Sequence, residues 1–366
     1  MKNKADDIEI EEEDTSSAIE SPFNPKDVDI STKTLTIDLL VRRISRNEID
    51  LFTEFQRGPD LWSSRQQSGL IESMLIRFPL PIFYFDGTDD SKWLVVDGLQ
   101  RLSSINNFMV AKTLVLTELE FLPEFNNCTF DQLPRDLQRR LEETQVIAYI
   151  INPGTPIAVR YNLFKRINTG GLMLKPQEIR HALNQGIPAD FVRDIANSRA
   201  FITATDDSIS PRRMNDRDLV MRALAFMMFN YKEYKPPLDI FLGTEMSKLY
   251  TLGASKREEL KICMLKALTT AYEIFGNDAF RKRTSITDTR NPINKGLFEV
   301  WVSQLSKLDD QQRSRLVESR EMLLEKCMVK NSEKDFTNAI TRATADTVSV
   351  LTRHKAIEQI MNEVLT

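Results

Sequence analysis

The chain runs to 366 residues, 28% of them charged, with a formal net charge of −4. At about 150 residues per domain this length predicts two domains and a core that needs no covalent staple. Three cysteines in no C-x-x-C pair (Cys128, Cys263, Cys327) exclude a disulfide framework and a zinc knuckle, and two histidines (His181, His354) are too few for a His-Cys zinc site or an H-N-H type metal nuclease.

No uninterrupted apolar run reaches about 18 residues, and the first residues are acidic where a signal peptide is basic, so a cytoplasmic protein with no membrane association is expected. The charge is uneven: residues 1–20 sum to −6, which leaves residues 21–366 at +2. A nearly neutral body does not by itself point to nucleic acid, although it is compatible with a local basic groove. The acidic, aromatic-poor stretch 1–30 is expected to be a disordered tail, read as a solubilising segment with a docking peptide as the alternative.

Globular patterning begins near residue 31. Residues 34–44 (TLTIDLLVRRI) look like a strand running into a helix, and Gly58-Pro59 marks a turn. Ser63 and Gln66 stand at capping-box spacing, and Leu70, Ile71, Met74, Leu75 and Phe78 make one apolar helical face. Pro79 and Pro81 close that helix and open the strand PIFYFD.

Trp93, Leu94, Val95 and Val96 then read as a buried strand that stops at Asp97-Gly98, after which Leu102, Ile105 and Met109 recur at helical spacing. This strand, turn and helix place Asp97, Gln100 and Arg101 beside a helix N-terminus, where free N–H groups attract an anion, and Gly98 allows close backbone approach. The plainer reading is an Asp-Gly turn capping a helix, with Arg101 solvated.

KTLVLT follows, and TQVIAYIIN suggests another buried strand. Residues 155–168 read as a helix opened by Thr155 and Pro156, broken at Thr169-Gly170-Gly171 and restarted at Pro176 up to Gly186. Strands alternating with helices predict a small α+β or α/β mixed-sheet domain over residues 31–187 and an all-helical domain over 188–366. In the latter, NDRDLVMRALAFMMFNY starts with an Asn215…Asp218 cap pattern, and Phe336, Ile340, Ala343, Thr347, Val350, His354, Ile357, Met361 and Val364 trace one stripe, read as core packing.

Three segments concentrate residues that folding alone does not require. Gln56, Arg57 and Trp62 flank the Gly-Pro turn; an Arg beside an aromatic residue can stack on a base or pair with phosphate, or be a salt-bridged neighbour of a core anchor. Asp97-Gly98-Leu99-Gln100-Arg101 is the second. Phe164 to Gly171 is the third, ending a helix with Lys165 and Arg166, which also suit a helix C-terminus on dipole grounds.

In that order and at those separations, FQRGPDLWSSRQQSGLIESMLIRFPLPIFYF, VVDGLQRLSSI and LFKRINTGGLMLKPQEIRHALNQG resemble the N-terminal domain of GmrS-like proteins of the GmrSD-type, modification-dependent restriction systems. The resemblance extends through RRMNDRDLVMRALAF, FLGTEM, NPINKGLFE and DFTNAITRATADTVSVLTRHKAI, covering roughly residues 34–360. It implies a ParB/sulfiredoxin-like fold and a nucleoside triphosphate site at the family's D-G-Q-Q-R pattern, which maps onto Asp97 to Arg101 with Leu99 in place of the first glutamine.

In that scheme Asp97 holds Mg²⁺ or orders the attacking water, Gln100 orients the water or γ-phosphate, and Arg101 clamps phosphate oxygens. Gly98 presents its N–H, and Gln56, Arg57, Trp62, Arg166, Asn168 and Gly170 wall the nucleotide. No P-loop pattern is present, so such a site is built another way. The implied protein is a hydrolysing sensor of a phage-defence system acting on DNA, with cleavage supplied by a separate nuclease subunit. A ParB-like DNA-binding module using Arg57, Arg101 and Arg166, or a ParB-like nuclease, are the alternatives. His181 lies in a matched segment as a further site candidate, whereas His354 sits on the apolar stripe as a packed residue.

Overall fold

The computed structural model describes residues 7–9, 24–51, 62–89, 91–167 and 174–366. They form two compact units, one spanning Phe23–Leu174 and the other Lys175–Thr366 together with the first residues of the chain. The class is α+β: a mixed sheet in the first unit, followed by helices.

The sheet has five strands, β1 (Ile30–Thr36), β2 (Ile49–Asp50), β3 (Phe83–Asp86), β4 (Trp93–Asp97) and β5 (Gln145–Ile151), in the order β1-β5-β3-β4-β2. β5 pairs antiparallel with β1 and parallel with β3, which pairs antiparallel with β4. A bulge between Tyr84 and Phe85 sets Tyr84 opposite Asp97. β5 alternates: Val146, Ala148 and Ile150 are buried while Ile147 is exposed, so the strand is covered on one face and not fully buried as its β-branched density suggests.

Helices α1 (Ile37–Ser45), α2 (Ser64–Leu75), α3 (Leu99–Ile105) and α4 (Arg135–Glu143) pack on one another, and α5 (Ile157–Ile167) lies against β4. The capping box read from the sequence is present, with Ser63 Oγ accepting from Gln66 N and Gln66 Oε1 accepting from Ser63 N. Phe78 departs from the expected apolar face. α2 stops at Leu75, Arg77 turns the chain at φ 63°, and Phe78 is left 56% exposed. Asp86, 2% exposed, accepts Arg160 Nε at 2.8 Å and Nη2 at 2.6 Å, tying α5 to β3.

The second unit contains α6 (Pro176–Leu183), α7 (Ile187–Ala196), α8 (Arg199–Ala204), α9 (Asn215–Met228), α10 (Leu238–Lys248), α11 (Ala254–Phe275), α12 (Lys295–Leu305), α13 (Asp310–Glu318), α14 (Arg320–Ser332), α15 (Lys334–Thr341) and α16 (Thr347–Leu365). The sequence reading places the boundary at 187; the contacts place it between Leu174 and Lys175, because α6 makes its polar contacts with α9 and α10. Arg180 donates to Asp218 and to Asp239, the latter at 2.7 Å. The Asn215…Asp218 pair does not cap α9: Asn215 accepts Lys175 Nζ at 2.9 Å, and Asp218 takes Arg180 and Lys295 instead.

The C-terminal stripe is also interrupted. Ala343 adopts φ 44°, so Phe336 and Ile340 belong to α15 while Val350 to Val364 belong to α16. Arg353, fully buried, donates to the Ala339 and Thr344 carbonyls around the break and to Glu299 Oε1 at 2.7 and 2.9 Å. Burial pushes the Glu299 carboxyl up, but Arg353, the His354 hydrogen bond and Arg222 outweigh it and hold the group at about 2. Burial lowers the His354 pKa, against the pull of Glu299. His354 is thus the packed residue the stripe predicts, stacked on Tyr231.

Both groups make the helical unit weaker in acid. Glu299, depressed when folded, contributes stability above its ordinary 4.5 that disappears as pH falls toward about 2, and His354, lowered when folded, contributes above 6.5 and loses it below. Melting curves between pH 7 and 3 are expected to show a falling midpoint, with a flatter acid limb in Glu299→Gln. At pH 7 that variant leaves two buried arginines without their carboxylate and is expected to lose about 3–5 kcal/mol.

Candidate functional site

The turn after β4 is built by a positive φ at Gly98, the close approach of Phe83 and a leucine that enters the core. Gly98 sits at φ +104°, in the left-handed region, and a Cβ placed there meets Phe83 Cδ1 at 2.5 Å. Only glycine fits both the angle and the space. Leu99 then turns into the apolar core with Leu102 and Ile105, so the residue that departs from D-G-Q-Q-R faces the core of this domain.

Arg101 is not solvated. Its side chain is 10% exposed, and its guanidinium lies 4.4 Å over the Phe83 ring and donates to the Pro81 carbonyl, to the Ile82 carbonyl at 3.2 Å and to Asp97 Oδ2 at 2.8 Å. The two carbonyls lie just before β3 in the chain, so the cation ties the start of that strand to the turn at the end of β4. Burial lowers the Arg101 pKa, and Asp97 opposes the shift. The Asp97 carboxylate remains 43% exposed, held at one oxygen by this buried cation.

Gln100 is half-buried; its Oε1 accepts the Trp62 backbone N–H at 3.2 Å, and its carbonyl accepts Ser104 Oγ at 2.7 Å. Trp62 packs its side chain against the core, and its carbonyl accepts Gln67 Nε2 at 2.9 Å. Thus the structure joins Asp97, Gly98, Gln100, Arg101 and Trp62, taken from two of the three segments singled out by sequence. Arg166 is exposed on the last turn of α5, the helix that lies against β4. Gln56, Arg57, Asn168 and Gly170 lie outside the described residues.

His181 is buried, with Nδ1 at 3.3 Å from Arg217 Nη1. It belongs to the polar interior of the second unit, where Arg213, itself in the left-handed region at φ 63°, binds Glu178 through two donors at 2.7 and 2.8 Å. Sequence reasoning missed Phe83, the floor beneath Gly98 and Arg101, and the Asp86–Arg160 pair. An aromatic residue in a strand carries no pattern that distinguishes a floor from ordinary core.

Among the described residues, no group of three or more His, Cys, Asp and Glu side chains is placed to hold a metal ion, and no helix is long and apolar enough to cross a membrane. The three cysteines are free, and burial pushes the Cys327 thiol up to about 12.

A mixed-sheet α+β domain that displays an acidic D-G-x-Q-R turn at the end of an inner strand is the class these features define. Residues 38–184 match the family model described as GmrSD restriction endonuclease, N-terminal domain, and that segment is a domain of this family. The match takes in the whole turn and reaches through α6, across the boundary between the two units. No curated protein matches the chain.

Two glycine substitutions separate the turn from ordinary helix behaviour. Gly98→Ala is expected to lose about 1–3 kcal/mol in urea denaturation, through strain at a positive φ and overlap with Phe83. Gly69→Ala, in α2 with nothing within 4 Å of the added carbon, is expected to gain about 0.5–1 kcal/mol.

Proposed function

We propose that this domain binds a nucleoside triphosphate at the Asp97 turn and hydrolyses it, as the sensor component of a restriction or phage-defence system acting on DNA. The observation that carries the reading is an exposed carboxylate fixed in place by a buried guanidinium on a strained glycine turn, inside a segment matching a restriction-endonuclease N-terminal domain. Phosphoryl transfer asks a protein mainly for positioned charge, and a carboxylate with restricted orientation supplies it.

The roles follow from exposure. Asp97 takes a Mg²⁺ ion or the attacking water; one carboxylate is a sufficient protein ligand where phosphate oxygens and water complete the shell. Gln100 orients the water or γ-phosphate from the adjacent position. Arg101 holds Asp97, because three of its N–H donors are directed into the protein, and it is not the group that clamps phosphate in this reading. That task falls to Arg166 on the exposed end of α5, with Arg57, Gln56, Trp62, Asn168 and Gly170 completing the wall. Leu99 is compatible with turnover because it faces the core.

The partners in this reading are DNA and a separate nuclease subunit, the compartment is the cytoplasm, and the sheet is of the ParB/sulfiredoxin-like kind. Phosphate release from the purified chain, measured with each nucleoside triphosphate and Mg²⁺, tests it. Asp97→Asn is expected to lower release about a hundredfold or more while staying folded by circular dichroism, with a melting temperature lowered because Arg101 loses its counter-charge. Equal release from variant and parent, or none from the parent, overturns it.

A further inference from the structure

Residues Asp7–Glu9, which the sequence assigns to a disordered tail, are docked on the second unit. Ile8 bridges Ile293 in parallel, and Ile293 in turn bridges Arg281. Three backbone hydrogen bonds hold the segment: Asp7 N to the Ser208 carbonyl at 3.3 Å, Ile293 N to the Asp7 carbonyl at 2.8 Å and Glu9 N to the Ile293 carbonyl at 2.9 Å. This is strand addition, in which backbone bonds supply affinity and alternate side chains supply specificity.

The side chains read a pattern. Asp7 Oδ2 accepts Arg281 Nη1 at 2.6 Å, Ile8 packs against the apolar core of the helical unit, and Glu9 accepts Lys282 Nζ at 2.5 Å and Asn294 Nδ2 at 2.9 Å. Arg281 is 1% exposed, and Asp7 is the one carboxylate paired with it among the described residues. A cation buried to that degree needs a counter-charge. Its other acceptors are neutral: the Asn291 carbonyl at 2.6 Å, Ser208 Oγ at 3.2 Å and the Asn277 carbonyl at 3.3 Å. The groove is therefore built around an acid that the folded helices do not themselves provide.

The sequence repeats that pattern, with Glu9-Ile10-Glu11 following Asp7-Ile8-Glu9. A shift of two residues keeps every side chain on the same face, so the second copy would present the same order of acid, aliphatic and acid. Backbone bonds such as the three that hold Asp7–Glu9 are of the kind that local opening breaks while the core stays folded.

We propose that the groove formed by Ser208, Arg281, Lys282, Ile293 and Asn294 is a docking site for acidic peptide segments of the pattern Asp/Glu-Ile-Asp/Glu, filled in cis by this chain and exchangeable for the same pattern on a partner protein. The groove does not depend on the chemistry of the Asp97 turn. While the chain's own segment is bound, the Arg281 and Lys282 charges are covered; when it leaves, both become available to the partner's acids.

The test titrates a fluorescent peptide of residues 4–14, KADDIEIEEED, into the full chain and into full-length Asp7→Lys/Glu9→Lys, which disables both registers because Glu9 belongs to each. A tethered segment acts at an effective concentration on the order of millimolar, so the substituted chain is expected to bind the peptide at least about tenfold more tightly than the parent. A peptide with Asn and Gln at the positions of Asp7 and Glu9 is expected to bind the substituted chain at least about tenfold more weakly than the acidic one. Equal binding by the two chains, or by the two peptides, overturns the proposal. Amide exchange on the unaltered chain gives an answer free of any folding defect. The Ile293 amide is expected to exchange faster than that of Phe298 within α12 and to speed up in high salt; equal protection makes the segment a fixed part of the core and rules out exchange.

Discussion

The first unit depends on one buried cation. Arg101 reaches back under its own turn to the Pro81 and Ile82 carbonyls and forward to Asp97, with the Phe83 ring beneath it. Without it the Pro81 and Ile82 carbonyls lose this donor and the carboxylate at the end of β4 loses its anchor. Gly98 is the geometric counterpart: Phe83 leaves no room for a side chain at the turn, so the same ring that supports the guanidinium dictates the residue before the helix. The carboxylate emerges as the exposed end of an otherwise interior assembly.

The second unit uses buried charge differently. Glu299 faces Arg222, Arg353 and His354, and Arg180 faces Asp218 and Asp239, so helices that share an apolar core are also registered by ion pairs inside it. Such pairs bring little net stability compared with apolar packing but are costly to break singly. They tie α9 to α6 and α12, and α12 to α16, each through a specific residue. Arg281 fits the same economy with one difference, since its carboxylate comes from a short segment far away in the chain.

Much of this was legible in the letters. Ser63 and Gln66 announced the start of α2, and Trp93 to Asp97 announced β4 and its turn; each rests on spacing that local backbone geometry enforces. What escaped detection depends on partners remote in sequence. Phe78 continues the apolar periodicity of α2 yet follows a left-handed residue, and the stripe from Phe336 to Val364 keeps its period across a break at Ala343, because periodicity carries no record of where the backbone turns. Arg101 reads as a surface cation because nothing nearby shows that the carbonyls before β3 will take its donors. The docking of Asp7–Glu9 was hidden for the same reason: an acidic, aromatic-poor run looks disordered until Arg281 supplies the counter-charge.

The central claim is that the Asp97 carboxylate, held by Arg101, is the acidic group of a nucleotide site. Calorimetric titration of the full chain with the four nucleoside triphosphates and Mg²⁺, repeated on an equally folded Asp97→Ala chain, tests it most directly. The account predicts saturable heat with at least one triphosphate and its loss in the variant. Identical isotherms for the two chains would contradict it.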